Sequence, residues 1–239
     1  MVDSKNGLPA EAERYLTKTQ FVESDSPEVQ DFVASALRYL PADASDRDKT
    51  IRLFEAVRDK IRYDPYCFEL DAEAYRSSRV AKAEAAFCVP KAILLAACLR
   101  SVGIPAALGF ADVRNHLNTP KLQELMETDL FIYHGYVQVW LGEETYKITP
   151  AFNIDLCERF GVKPLVFDGY HDALFHEFDE ADQRHMEYVN DRGLFVDPPM
   201  DEFLTAFRAT YPKLEELNRD RRSKDSSAYD AGFAKETTT

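Results

Sequence analysis

The sequence predicts an α+β fold in which helices come first and an antiparallel sheet follows. Residues 26–64 show helical periodicity, and the run at about 88–102 is apolar on nearly every face. Residues 106–113 and 145–150 are instead strand-like, and residues 131–141 are rich in aromatic and β-branched residues. Because helices and strands occupy separate stretches, the pattern favours α+β, with the apolar helix at the centre and packed on the sheet.

Capping residues set the expected boundaries of the helices. Ser26 precedes Pro27 at the start of a helix over 26–40, and a second helix follows and ends before Pro65. The central helix runs from about Cys88 to Val102 and ends at Gly103. Shorter helices are predicted at 120–127, 154–160 and 200–211.

The predicted strands begin with three that form a meander, over 106–113, 131–141 and 145–150. Further short strands are predicted at 164–167 and 186–196, the latter interrupted by a turn, "NDRG". We expect an N-terminal extension (1–20), a single domain (21–211) and a mostly disordered, charged tail (212–239).

Composition excludes several classes of function. The formal net charge of -13 argues against nucleic-acid binding, since phosphates would be repelled. The sequence contains no apolar run long enough for a membrane span and no signal-peptide core, so we expect a cytoplasmic protein. It also contains no CxxC motif, so we expect reduced thiols, no metal and no cofactor.

Cys88 is the candidate nucleophile, because it stands directly before the apolar helix. At a helix N-terminus, backbone N–H groups favour the thiolate and also bind an oxyanion formed beside it. The alternative is a buried cysteine that only fills the core. The remaining cysteines are interpreted as structural: Cys67, Cys98 and Cys157.

A reactive thiol needs a base, and His134 is the histidine that lies inside a clearly predicted strand. In the predicted meander, the end of the first strand, the start of the second and the end of the third meet at one edge. Asp112 is therefore expected to orient His134. The alternatives are that His134 is a core histidine and that Asp112 pairs with Arg114, while Asn153 or Asp155 approaches from the other side.

The segments "FCVPKAILLAACLRSVGIPA" and "YKITPAFN", with His134 between them, resemble the transglutaminase-like superfamily. The resemblance covers roughly residues 50–200. It implies a papain-like core in which Cys88 is the nucleophile and His134 the base. Two features depart from the family pattern: Phe87 replaces the glycine that often precedes the cysteine, and Thr149 occupies the place of the usual aspartate.

With Thr149 in that place, the chain order Cys88, Asp112, His134 is similar to that of Dieckmann cyclases that release tetramate or pyridone products. This resemblance implies a thioester substrate on a carrier protein, a hydrophobic tunnel for its acyl chain and a basic docking patch. "RDKIR" (58–62), with Arg52 nearby, is a candidate for that patch.

The residues themselves leave four functions open. A Cys88 acyl-enzyme could pass its acyl group to water, as in an amidase or peptidase, to an amine, or to a carbanion within the same chain. A binding module that has lost its chemistry is the fourth possibility. His171 and His176 lie in an acidic stretch that would line a pocket, bind a metal or simply be solvated.

Overall fold

The computed structural model of the chain describes residues 8–115, 119–174, 186–216 and 233–236. Its helices are α1 (Pro27–Leu37), α2 (Asp46–Lys60), α3 (Ser77–Val80), α4 (Cys88–Ser101), α5 (Pro120–Met126), α6 (Ile154–Phe160) and α7 (Met200–Thr210). Its strands are β1 (Arg62–Tyr63), β2 (Ala85–Ala86), β3 (Ala106–Asn115), β4 (Leu130–Leu141), β5 (Glu144–Ile148) and β6 (Met186–Phe195). The mixture of helices and antiparallel strands confirms the α+β prediction.

The helix caps follow from local chemistry. The Ser26 hydroxyl accepts a hydrogen bond from the Val29 N–H, with Pro27 in the first turn of α1. Ser45 and Asp48 form a reciprocal capping box at the start of α2. Thr119 caps α5 through the Leu122 N–H. These short-range contacts explain why the starts of α1 and α5 were predictable.

The main sheet has four strands in the order β5-β4-β3-β6, and every neighbouring pair is antiparallel. The predicted meander of β3, β4 and β5 is therefore present. A separate pair joins β1 to β2 in parallel, with Tyr63 opposite Ala86. Since β2 ends two residues before Cys88, this small pair ties the segment after α2 to the start of α4.

Helix α4 lies at the centre of the molecule. Every residue from Cys88 to Arg100 is buried, including the two charged ones. The helix packs on β3 and β4 on one side and on α1, α2 and α3 on the other. The prediction of a helix that is buried on all faces is confirmed, and the reason is that layers cover it on both sides.

One predicted strand and one predicted turn are wrong. Residues 164–167 form no strand. The "NDRG" stretch (190–193) is not a turn between two strands, because β6 runs through it as one strand paired with β3. Register shifts opposite Ala111 and Val113 absorb the turn-forming residues as bulges, and Gly193 adopts a φ of +92° there.

The C-terminal part is described in two pieces. Residues 212–216 are helical, and Phe233–Lys235 form a 3-10 helix whose Phe233 is buried. The remainder of the predicted tail lies outside the described residues, as do His116, His176 and His185. Within the described ranges, none of the helices combines the length and the apolar character that crossing a bilayer requires.

Candidate active site

Cys88 is the first residue of α4, and its side chain is almost completely buried. Burial raises the pKa of the Cys88 thiol to about 11 and outweighs the backbone N–H groups of Gly135, Val89 and Cys88 itself, which lower it. The bias toward the thiolate that the helix N-terminus provides is therefore present but smaller than the effect of burial. Desolvation is the larger effect, and the thiol needs a base to react at neutral pH.

Gly135 brings the sheet into direct contact with the start of α4. A Cβ at this position would lie 3.0 Å from Val89 Cα and 3.2 Å from the Cys88 carbonyl oxygen. Only a residue without a side chain allows the strand to approach this closely. The sequence analysis missed Gly135, although a lone glycine inside a strongly predicted strand is a recognised sign of close backbone approach.

His134 precedes Gly135 on β4 and pairs with Ala111 of β3. It is buried and lines the same cavity as Cys88. The structure thus brings the two residues to one cavity.

Asp112 is buried beside His134 in the neighbouring strand, but its carboxylate serves other partners. It accepts hydrogen bonds from Arg192 Nε at 2.7 Å, the Tyr133 N–H at 3.1 Å and Asn190 Nδ2 at 3.3 Å. Among the described residues these are its hydrogen-bond partners, and neither the His134 ring nor Arg114 is one of them. Arg114 pairs instead with Asp129.

Tyr133 marks an irregularity in β4 directly before His134. Its φ is +54°, a left-handed conformation that is costly for a tyrosine. Opposite it, β3 and β4 shift register between Ala111 and Val113. The Asp112 carboxylate holds the Tyr133 N–H, and the Arg192 guanidinium lies 4.0 Å from the centre of the tyrosine ring. Asp112 and Arg192 together stabilise the backbone that leads into His134.

Two other residues named from the sequence, Thr149 and Asn153, lie in the segment between β5 and α6. Thr149 is buried directly after β5, and within the described part of the chain its hydroxyl has no hydrogen-bond partner. Asn153 stands at the N-cap of α6 but does not cap it through its side chain. Its Oδ1 instead accepts the Tyr63 N–H at 3.1 Å, while Asp59 receives the Ile154 N–H.

The cavity beside Cys88 and His134 is predominantly apolar. Its walls come from segments far apart in the sequence: Tyr63, Pro65, Phe87, Leu122, Met126, Phe131, Ile132, Tyr133, Phe207, Tyr211 and Leu214. The Tyr211 hydroxyl donates to the Leu130 carbonyl and accepts from the Ile132 N–H, so α7 is fixed to the strand that carries His134. A substrate group that entered this cavity would meet mainly hydrocarbon.

Lys91 lies one turn after Cys88 and is completely buried. Its ammonium donates to the backbone carbonyls of Arg58, Ile61 and Ala151, three acceptors for three N–H groups. Burial lowers the pKa of Lys91 to about 7. Lys91 was not among the residues singled out from the sequence, although a single lysine within an otherwise apolar helix indicates a buried charge that needs partners.

The other cysteines and His171 lie outside this site. Burial raises the pKa of Cys157 to about 12 and that of Cys98 further, and all four cysteines are free thiols. His171 is exposed and pairs with Asp168. Over residues 8–115, 119–174, 186–216 and 233–236, no cluster of three metal-binding side chains is found.

Two comparisons with known proteins found similarities to this chain. Residues 34–149 match the family model described as the transglutaminase-like superfamily. A solved structure described as a candidate cysteine protease from Cytophaga hutchinsonii is similar, at 13% sequence identity and a TM-score of 0.45. The match covers 78% of this chain and 55% of that one. The search of curated proteins returned no significant match.

Proposed function

Because this chain belongs to the transglutaminase-like superfamily, through a domain at residues 34–149, we propose that it is a cysteine-dependent acyl-transfer enzyme with Cys88 as its nucleophile. The observation that carries the proposal is the setting of the Cys88 sulfur. It lies at the start of a buried helix, receives backbone N–H groups from two elements and opens into the cavity that His134 also lines. An inert core cysteine needs none of these features.

The raised pKa of Cys88, about 11, determines how the reaction begins. The resting thiol is protonated at neutral pH, so proton removal accompanies attack on the carbonyl. His134 is the proposed base, and its ring closes on the sulfur, directly or through one water, once substrate occupies the cavity. Catalytic hydrogen bonds of this kind are often long before substrate binds. The N–H groups of Gly135 and Val89 then stabilise the anionic sulfur.

In this proposal Asp112 is a positioning residue for His134 that acts through the backbone. Its carboxylate fixes the Tyr133 N–H and the Arg192 guanidinium, and Tyr133 precedes His134. In place of the Cys–Asp–His triad that the sequence suggested, we propose a Cys88–His134 pair. The base, His134, is oriented by the Tyr133 backbone, which Asp112 holds. Thr149, in the place of the usual acid, adds no charge.

The apolar cavity favours one substrate class within this chemistry. A thioester or amide whose acyl part is a hydrocarbon chain would bury that chain against Leu122, Met126 and Phe207. A water-poor cavity also disfavours hydrolysis of the acyl-enzyme. We therefore place intramolecular Dieckmann cyclisation of a carrier-bound β-ketoacyl-aminoacyl thioester ahead of the amidase, peptidase and amine-transfer alternatives.

The basic docking patch for a carrier protein is smaller than the sequence suggested. The Arg58 guanidinium is buried and donates to the Leu165 carbonyl, so it is not available on the surface. Arg62 and Arg52 remain on the surface, where they pair with Glu84 and Glu55. A carrier protein that docked here would have to compete for these two arginines.

The test is product analysis with a synthetic β-ketoacyl-aminoacyl thioester. Wild-type protein is expected to release the cyclised product, and Cys88→Ala to release none above the buffer rate. Cys67→Ala, which removes a half-buried thiol away from the cavity, serves as the matched control and should retain full turnover. Wild-type turnover in Cys88→Ala would disprove the nucleophile, and release of the linear acid alone would reject cyclisation in favour of hydrolysis.

The second candidate is a non-catalytic binding module, and one observation favours it. Thr149 replaces the usual acid, and the Asp112 carboxylate, the acid that the sequence suggested, is engaged with Arg192. This alternative predicts saturable binding of an apolar thioester with no covalent adduct and no product.

A further inference from the structure

We infer that the Tyr63 hydroxyl is a catalytic hydrogen-bond donor to the oxyanion that forms when Cys88 attacks a carbonyl. The inference rests on the proposed acyl-transfer function and gives a specific role to a residue that the sequence suggested only as part of the cleft wall or of the core. It starts from a tyrosine whose ring is held tightly while its hydroxyl is left facing the cavity.

The backbone of Tyr63 is fixed next to Cys88. Tyr63 pairs with Ala86 in the parallel β1–β2 pair, and Ala86 lies two residues before the nucleophile. The N–H of Tyr63 donates to Asn153 Oδ1 at 3.1 Å, which ties β1 to the start of α6. These backbone contacts fix the position of Tyr63 relative to the segment that leads into Cys88.

The ring of Tyr63 is fixed by aromatic neighbours. Phe152 meets it edge-on at 4.6 Å between ring centroids, and Phe233 does so at 5.8 Å. Only 7% of the residue is exposed, and it forms part of the cavity wall together with Cys88 and His134. A ring clamped in this way loses little further entropy when its hydroxyl binds a ligand.

The hydroxyl of Tyr63 has no hydrogen-bond partner within the described ranges. Two other tyrosines close to the thiol differ in this respect. Tyr75 donates to the Glu69 carbonyl at 2.9 Å, and Tyr211 is bonded to Leu130 and Ile132. Tyr63 as a whole is buried, but its hydroxyl oxygen is accessible and the residue lines the cavity, so a ligand there can supply the missing partner. The group that enters this cavity in the proposed reaction is the carbonyl oxygen.

The electrostatics fit a donor that keeps its proton. Burial, followed by the nearby Cys88 thiol, raises the pKa of Tyr63 well above its ordinary value. During attack the S–C bond forms and the π-electron pair of the carbonyl moves onto oxygen, where the neutral Tyr63 hydroxyl donates to it. The proton of the Cys88 thiol passes to His134 during this attack. When the intermediate collapses, the C=O bond re-forms, the bond between the carbonyl carbon and the leaving group breaks, and the leaving group takes that proton from the His134 imidazolium.

Tyr63→Phe is the direct test, because phenylalanine keeps the ring contacts and removes only the hydroxyl. Loss of one oxyanion donor lowers kcat by about 10²–10³-fold, and we expect KM to change little. Tyr75→Phe is the matched control, since it removes a hydroxyl near the thiol that is already bonded to a backbone carbonyl. Its kcat should stay within about twofold of wild type.

A second measurement separates oxyanion binding from structural damage. An aliphatic aldehyde adds to Cys88 as a tetrahedral hemithioacetal, whereas the matching alcohol does not. Tyr63→Phe should weaken binding of the aldehyde about 10²-fold and leave that of the alcohol unchanged. Equal losses for both ligands, or wild-type kcat in Tyr63→Phe, would overturn the inference. Absence of turnover and of aldehyde addition in wild-type protein would instead reject the proposed function.

Discussion

Gly135 and Cys88 form the contact on which the site depends at the scale of single residues. The glycine N–H donates to the sulfur, and the missing side chain lets β4 reach the first turn of α4. The same contact places His134, the preceding residue, at the cavity. One position therefore sets both the hydrogen bonding of the nucleophile and the location of the base.

Gly135→Ala should separate the strand from the helix. The new methyl group would lie 3.0 Å from Val89 Cα, a backbone atom that cannot move alone. We expect a loss of about 1–3 kcal/mol in the free energy of unfolding from overpacking, measured by urea denaturation, and at least a tenfold fall in kcat.

Gly142→Ala is the control for that variant. Gly142 has a φ of +71°, so alanine is strained there too, but nothing lies within 4 Å of its Cβ position. Its kcat should match that of wild type. A Gly135→Ala protein with full activity would show that close approach of β4 to α4 is not required.

The pKa of Cys88 predicts how the thiol responds to pH. Because burial raises this pKa to about 11, the protonated thiol dominates at neutral pH and the thiolate fraction grows as pH increases. The rate of iodoacetamide labelling of Cys88 should rise about tenfold per pH unit between pH 7 and 9. Cys88 should also be labelled before Cys157, whose pKa is about 12.

Peptide mapping after timed quenching measures both rates. A labelling rate at Cys88 that is already high and constant from pH 6 to 8 would contradict this account. It would mean that a thiolate–imidazolium pair exists before substrate binds.

The positions of Cys88 at the start of α4 and of His134 inside β4 were predictable from the sequence, but the partners of Asp112 were not. A cysteine before an apolar helix and a histidine in a strong strand are local signals. The partners of Asp112 are Arg192 and Asn190, which lie about 80 residues away in a strand that the sequence misread as a turn. Without the correct path of β6, a contact between Asp112 and His134 was the simplest expectation.

At the scale of secondary-structure elements, Lys91 joins α4 to the segments around it. Its ammonium binds carbonyls at the end of α2, just before β1 and in the segment before α6. These segments carry Tyr63 and Asn153. The helix with the nucleophile and the strand with the proposed oxyanion donor are therefore connected through one buried cation.

Lys91→Met should destabilise the protein strongly. Methionine fills the space but leaves three buried carbonyls without their donor, which is expected to lower the free energy of unfolding by about 3–5 kcal/mol. Thermal denaturation measures the loss. Lys49→Met is the control, because Lys49 forms an i,i+3 pair with a mostly exposed Asp46, and such pairs contribute at most about 1 kcal/mol. Similar unfolding temperatures for the two variants would refute the role of Lys91.

Elements defined by local chemistry were predictable, whereas the course of β6 and the β1–β2 pair, which depend on pairing with distant segments, were not. The starts of α1, α4 and α5 follow from a capping residue or a proline beside a periodic run. Strand β6 contains turn-forming residues, and only its neighbour β3 forces "NDRG" into an extended, bulged path. The two-residue pair of β1 and β2 is too short for any periodicity and depends on contacts across 23 residues.

At the scale of the whole molecule, the cavity lies where the helices meet the sheet. Its lining comes from segments as distant as Tyr63, Phe131 and Leu214, so no local pattern could reveal its shape. Phe233 reaches the same region and packs against Tyr63 and Tyr66, although it lies in the predicted tail. The fold class could be predicted from the order of helices and strands in the sequence. The apolar character of the cavity could not, because it depends on how these elements pack together.

The central claim is that Cys88 carries the acyl group, and intact-protein mass spectrometry tests it most directly. Wild-type protein mixed with a hydrocarbon acyl thioester should gain the mass of one acyl group, and peptide mapping should locate it on Cys88. The Cys88→Ala protein should gain none. Turnover by wild-type protein with no adduct at Cys88, or with the acyl group on another cysteine, would contradict the account.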